Sequence, residues 1–386
     1  MKKYCILITL ALLSGCASAP QKKIETVFYP PAPELPRLQF LRSLSGEKDI
    51  APKKSAFQAF VTGVNESQRA IDKPYGVAIS KGKIYVCDIN QGLMVFDLNK
   101  KTFGQYPGSQ GQGRLLEPIN IRIGSDGTKY VTDTARDQVV IFDKNDFYIN
   151  AFGDPETWKP VDAVPYQDEI YVVDIKNGEI VVLDKNSGKV LRKWGKEGEP
   201  VAHLVKPTNL AFNTEGHIYV SDVGRFQIVE YDRDGHYLGK FGDIGMESGF
   251  FARPKGIATD DKDRIYVVDA AFGNVQLFNK AGRILFFFGQ TGIGPGDMNL
   301  PAQVVVDHDN IRYFEQFADP NFMIESLIIV TNQAGHNPLN IYALGRARGK
   351  HYPTDTELMQ ELKTKAQKLE KGQSPANKPE IDKQKQ

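Results

Sequence analysis

The chain has 386 residues, 41% of them apolar and 25% charged, which supplies a sizeable core and excludes a disordered or collagenous chain. Its 48 Lys and Arg against 47 Asp and Glu leave a formal charge of +1, without the basic surplus that holds a nucleic-acid polyanion. Three cysteines are too few for a disulfide framework in a body of this size.

The first element is a processing signal. Lys2 and Lys3 precede an apolar run over 6–13 that is too short to span a bilayer, and small residues follow. The stretch Leu13-Ser14-Gly15-Cys16 resembles the lipobox of bacterial lipoproteins. That resemblance implies cleavage after residue 15 and diacylation of Cys16, a tether that holds because two chains bind where one does not. Ala17, in place of Asp, implies transfer to the outer membrane under the same resemblance. Loss of Lys2 and Lys3 moves the formal charge to about −1, so an anionic lipid surface gains no electrostatic hold on the mature body.

Residues 16–36 contain Pro20, Pro30, Pro31, Pro33 and Pro36, which suit an extended tether and exclude a helix. Between 55 and 64, Phe57, Phe60, Val61 and Val64 stand at helical spacing and predict a short helix packed on the body. Cys87 would be the single mature thiol. Its strand context, Ile84-Tyr85-Val86-Cys87-Asp88, marks it as a small core residue.

From Pro74 onward the chain repeats. A proline opens each unit, at Pro74, Pro118, Pro160, Pro207, Pro254 and Pro301, with intervals of 44, 42, 47, 47 and 47 residues. Such a period signals blades or a solenoid. The fifth unit shows the plan: Pro254-Lys255-Gly256-Ile257-Ala258, a second run over 264–269, a third over 274–278 and a fourth over 283–288 closed by Gly289. Short β-branched and aromatic runs bounded by Gly, Asp and Asn are antiparallel strands with tight turns. The second run recurs at 129–133, 170–174 and 218–222, and the closing aromatic-glycine pair at Phe152-Gly153, Trp194-Gly195 and Phe241-Gly242.

These motifs resemble the NHL-repeat β-propellers, whose units carry P-x-G-[VI]-A, then Y-V-[AV]-D, then an apolar strand ending in Phe-Asp. The likeness covers 74 to about 344, departing at Asn120 and Asp162, where the repeat carries glycine. Pro36-Arg37-Leu38-Gln39-Phe40, Ala270-Ala271-Phe272-Gly273-Asn274-Val275-Gln276 and Val330-Thr331-Asn332-Gln333 resemble segments of a bacterial group of six-bladed NHL lipoproteins. The implied fold is all-β: a six-bladed propeller over 37–346, followed by a short helix and a disordered tail over 347–386.

In the sixth unit the second strand is expected at 327–332, so 311–326 reads as an insertion whose aromatics Tyr313, Phe314, Phe317 and Phe322 pack on a neighbouring blade. Its third strand is expected at 340–344 and no fourth follows. The strand 38–44 is expected to supply it and close the ring. Thr354 and Glu357 have capping-box spacing before the stripe Leu358, Leu362, Ala366 and Leu369, which predicts the terminal helix.

In the geometry the resemblance implies, the starts of the first strands share a face with the ends of the second strands. Asp88, Asp133, Asp174, Asp222 and Asp269 repeat, which assigns them to turn capping. Asn120, Asp162, Asn209, Lys255 and Gln303 vary from unit to unit and form the candidate ligand-binding face, together with Arg136 and Arg225 three residues after their aspartates. No H-E-x-x-H or paired-cysteine spacing occurs. Peptide-amidating lyases, which share this propeller type, hold metal through histidines, but His203, His217, His236, His308, His336 and His351 occur in unlike loop contexts. The glycine-rich stretches 111–113 and 292–296 precede strands and read as turns. The sequence therefore names no catalytic residue, metal set or cofactor. It favours a noncatalytic platform for a protein or envelope component, with the membrane reached through the lipid, the body periplasmic and no nucleic acid bound. The alternative is a lyase or hydrolase acting on a small substrate at the channel mouth, with a metal and with Asp162, Asp222 or the histidines.

Overall fold

The computed structural model describes residues 26–51, 69–196, 198–353, 357 and 360. Cys16, the expected signal, the 55–64 helix and most of the terminal helix lie outside them; Glu357 and Gln360 are both helical. The described chain forms a six-bladed β-propeller of five four-stranded antiparallel sheets and one five-stranded sheet. Blades I to V open on Pro74–Ser80, Pro118–Ile123, Pro160–Tyr166, Pro207–Phe212 and Pro254–Thr259, and blade VI on Pro301–Asp307. Proline suits this place because the first residue of a strand need not donate to the ladder.

Burial follows from stacking blade on blade. In blade V, Ile265–Asp269 is buried throughout, whereas the outer strand Ile284–Phe288 alternates between half-buried and exposed until Phe288, which is buried. A strand covered on both sides reads as an unbroken apolar run, and one with a free side shows the two-residue period. Six apolar clusters fill the six gaps between neighbouring blades. The cluster between blades VI and I joins Leu44, Ile329 and Ile341 to Val77, Ile84 and Phe96, so the circle has no open edge.

Blade VI departs from the expected limits. Its second strand runs Phe322–Asn332 and its third Leu339–Ala347, so the insertion is 308–321 and carries two 3-10 turns, Ile311–Tyr313 and Glu315–Phe317. The extension was hidden because Met323, Ile324 and Glu325 have no alternating apolar pattern. Met323 and Ile324 pair with the equally irregular Arg346 and Gly345 of the third strand, and Glu325 sits at the register shift that follows. Phe314 and Phe322 are buried in the cluster shared with blade I, and the Tyr313 hydroxyl lies 2.5 Å from Asn99 Oδ1 on that blade.

Leu38–Leu44 pairs antiparallel with Leu339–Ala347, and Phe28–Tyr29 adds a fifth strand outside it. The segment read as tether thus contains two residues of sheet. Phe28 packs into the cluster between blades VI and I, and Tyr29 into that between V and VI. A two-residue strand flanked by prolines leaves no periodicity to read.

Antiparallel order within each blade fixes two faces. First strands begin, second strands end and inter-blade loops lie on one, here called the entrance face. The 308–321 insertion lies on the other.

Candidate functional site

In each blade the first strand slips register just after its proline. This bulge turns an inner amide away from the ladder, and a side chain can accept it. Asn120 Oδ1 accepts from the amide of Ile121, Asp162 Oδ1 from Ala163 and Gln303 Oε1 from Val304, each at 3.0 Å. Glycine stands at the same place in blades I and V for a steric reason: a Cβ on Gly76 would meet Asn120 Oδ1 at 2.4 Å, and one on Gly256 would meet Gln303 Oε1 at 2.4 Å. The variable ring is thus part of how adjacent blades interlock.

The same side chains meet around the axis. Arg122 reaches from blade II to both oxygens of Asp162 on blade III, at 2.9 and 2.6 Å, and to the Leu210 carbonyl of blade IV at 3.2 Å. Asn209 donates to Asp162 at 3.4 Å, and Gln303 of blade VI donates to Asn120 of blade II at 3.4 Å. These bridges form a polar floor beneath the entrance face. Four of the five expected ring residues are therefore together, in two contacting pairs.

Lys255 stands apart, above this floor. Its side chain is buried, its Nζ lies 3.0 Å from Gln333 Oε1 and 4.9 Å from the centroid of the Tyr75 ring. Among the described residues it has no carboxylate within 4 Å, and neither do Arg253 and Lys73 beside it. Burial, reinforced by the Arg253 and Lys73 cations, pulls the Lys255 ammonium down to about 8. Burial likewise pushes the Tyr75 phenol up to about 12. Tyr75, Arg253, Lys73 and Arg122 escaped the sequence reading. The only available signals were the place of Tyr75, Lys73 and Arg253 beside the opening prolines and one charge, Arg122, inside an otherwise apolar first strand.

The repeated aspartates cap turns as expected. Asp133 accepts from the amides of Leu116, Glu117, Ala135 and Arg136, and Asp269 from those of Ala252, Arg253, Ala271 and Phe272. Those carboxylates are committed to backbone, not to the neighbouring cations. Arg136 and Arg225 spend their guanidinium groups on loop carbonyls: Gln112 and Arg114 for the first, Pro200 and His203 for the second. Both act as staples between a turn and an inter-blade loop. Cys87 is buried, and its thiol is pushed well above its usual range by burial and then by Asp133 and Asp88.

The histidines are dispersed. His217 contacts Glu230 at 2.8 Å, His236 contacts Asp232 at 2.8 Å and His308 lies 3.7 Å from Asp261, all on the face opposite the entrance. Among the described residues no group of three His, Cys, Asp or Glu is placed to hold a metal, and no helix is long and apolar enough to cross a membrane.

No protein-family profile matches the chain. Similar solved structures include a Bacteroides thetaiotaomicron protein of unknown function, with 14% identity, a TM-score of 0.57 and coverage of 79% of this chain and 75% of that one. A gluconolactonase from Xanthomonas campestris is 13% identical with a TM-score of 0.53, covering 80% and 89%. Virginiamycin B lyase from Staphylococcus aureus is 16% identical with a TM-score of 0.48, covering 70% and 95%. At such identity the likeness to the first two shows the fold, a six-bladed propeller with distant neighbours among the gluconolactonase-type propellers.

Proposed function

We propose that the chain is an NHL-type propeller lipoprotein, anchored through Cys16 at the outer membrane, whose entrance face is a noncatalytic platform for a protein or other envelope component. One observation carries this reading. Among the described residues, the inter-blade loops of that face expose six large apolar side chains, Leu116, Val205, Ile244, Met246, Ile293 and Leu300, with Met246 92% and Ile293 83% exposed, whereas the loops of the opposite face expose Phe147 and the remaining exposed apolar residues lie on strands. Loop apolar groups concentrated on one face of a rigid scaffold favour association with a partner surface. The dispersed histidines give a lyase or hydrolase no assembled acid-base set to work with.

The test is photo-crosslinking in intact envelopes from positions 246 and 293, with position 100 on the opposite face as control. A discrete adduct from the first two positions and none from the control is the expected result. Equal labelling from all three would remove the platform reading. A Cys16→Ser variant that still fractionates with the outer membrane would remove the anchor.

A further inference from the structure

We propose that Tyr75, Arg253, Lys73 and Lys255 form a binding site for one anionic group, a carboxylate or a phosphate, at the hub of the entrance face. The inference rests on the platform reading only in using the same face. Its basis is a charge that the protein itself leaves uncompensated. Buried lysines are ordinarily paired, because stripping water from an ammonium is costly without a counter-charge. Lys255 is 8% exposed, yet its contacts are a neutral amide and an aromatic face. Two more cations, Arg253 and Lys73, bear on it.

The local carboxylates cannot serve. Asp269 is bound to the Arg253 amide and Asp88 to the Lys73 amide, so each holds the backbone of the cation's own residue. Asp162 lies on the floor, already held in the two-pronged bond from Arg122. The Tyr75 hydroxyl has no partner among the described residues, while the Tyr75 carbonyl is fixed by Thr331 at 2.5 Å. The tyrosine is thus anchored at its backbone and free to donate at its tip. An anion at this place would take an O–H from Tyr75, an N–H from Lys255 and N–H groups from Arg253, the charge-assisted pattern that recognises carboxylate and phosphate. With the polar floor below, the ligand approaches from the entrance face and presents an acidic end group, whether of a small molecule or of a partner's side chain or headgroup.

The experiment is calorimetric titration of the full chain at pH 7 with inorganic phosphate in one arm and succinate in the other, each against a chloride background of equal ionic strength. One saturable site for at least one of the two probes is expected, weakened about tenfold in Lys255→Met and in Arg253→Gln, since each removes a charge-assisted hydrogen bond. The arm that binds tells phosphate from carboxylate. Arg253→Gln alters an exposed side chain at the rim and serves if Lys255→Met misfolds. Absence of saturable heat in both arms, or affinities unchanged in both variants, would overturn the proposal. Ile244→Asp with Leu300→Asp, crosslinked from position 246 or 293, separates it from the platform reading: that variant should lose the envelope crosslinks and keep the titration. A chain that crosslinks but does not titrate defeats the anion site alone.

Discussion

Arg122 of blade II grips both carboxylate oxygens of Asp162 on blade III, the aspartate fully buried and the arginine side chain 16% exposed. Two charges taken out of water hold each other only while both are present, and loss of one partner strands the other. Arg122→Met should lower unfolding stability by about 3–5 kcal/mol, read by urea denaturation. Adding Asp162→Asn to it should recover part of that loss. If the double variant is no better than the single one, the bridge contributes little to the joint between blades II and III.

Lys255 predicts a pH signature. Its folded value, about 8, lies below the ordinary 10.5, so between these the unfolded chain binds more protons and stability rises with pH. At pH 7 the buried ammonium costs roughly 3 kcal/mol by the same linkage. Lys255→Met should therefore be the more stable protein at pH 7, with the advantage shrinking from pH 8 upward and nearly gone by about 10.5. The groups facing this lysine are Tyr75, Arg253, Lys73 and the neutral Gln333; Tyr75, near 12, deprotonates above the window. Denaturation curves at pH 7, 9 and 10 decide it, and a constant difference across them would contradict the assignment.

Asp222 accepts from the amides of Val205, Lys206 and Gly224. Asp222→Asn keeps one acceptor oxygen and places a donor where an amide must point, so a loss of about 1–3 kcal/mol is expected. Blade VI uses Asn332 at the corresponding place, where its Nδ2 instead donates to the Asn337 carbonyl. Thermal unfolding checks the cost, and phosphate titration should be unaffected.

Leu44 is fully buried between blades VI and I. Leu44→Ala should cost about 2–5 kcal/mol through lost burial and the cavity left behind. Deleting 38–44 should depress the unfolding midpoint far more sharply. An unchanged midpoint on deletion would mean that pairing with Leu339–Ala347 adds nothing to the ring.

Much of the architecture was legible because a repeat multiplies weak signals. Pro254, the 264–269 run and Phe288-Gly289 mean little singly, yet the proline and the second run recur in five other units and the aromatic-glycine pair in three, and together they fix the phase. The capping aspartates were readable for the same reason. Phe28–Tyr29 and the 322–326 extension were not, since both are held by pairing with distant strands and carry no local period. The site was only partly legible. Variation singles out Asn120, Asp162, Asn209 and Gln303 as ligand-facing, and in the fold these side chains also bond one another and interlock the blades beside the bulges. Lys255 looked like one member of that ring, and its distinction, a desolvated charge lacking a counter-ion, arises only when Tyr75, Lys73 and Arg253 converge on it from two different blades.

Arg122 joins blade II to blade IV past blade III, and Gln303 joins blade VI to blade II past blade I. Each of these bonds skips a blade, so a displacement of one sheet is felt by the next but one, and no blade in these two runs can tilt by breaking its apolar seams alone.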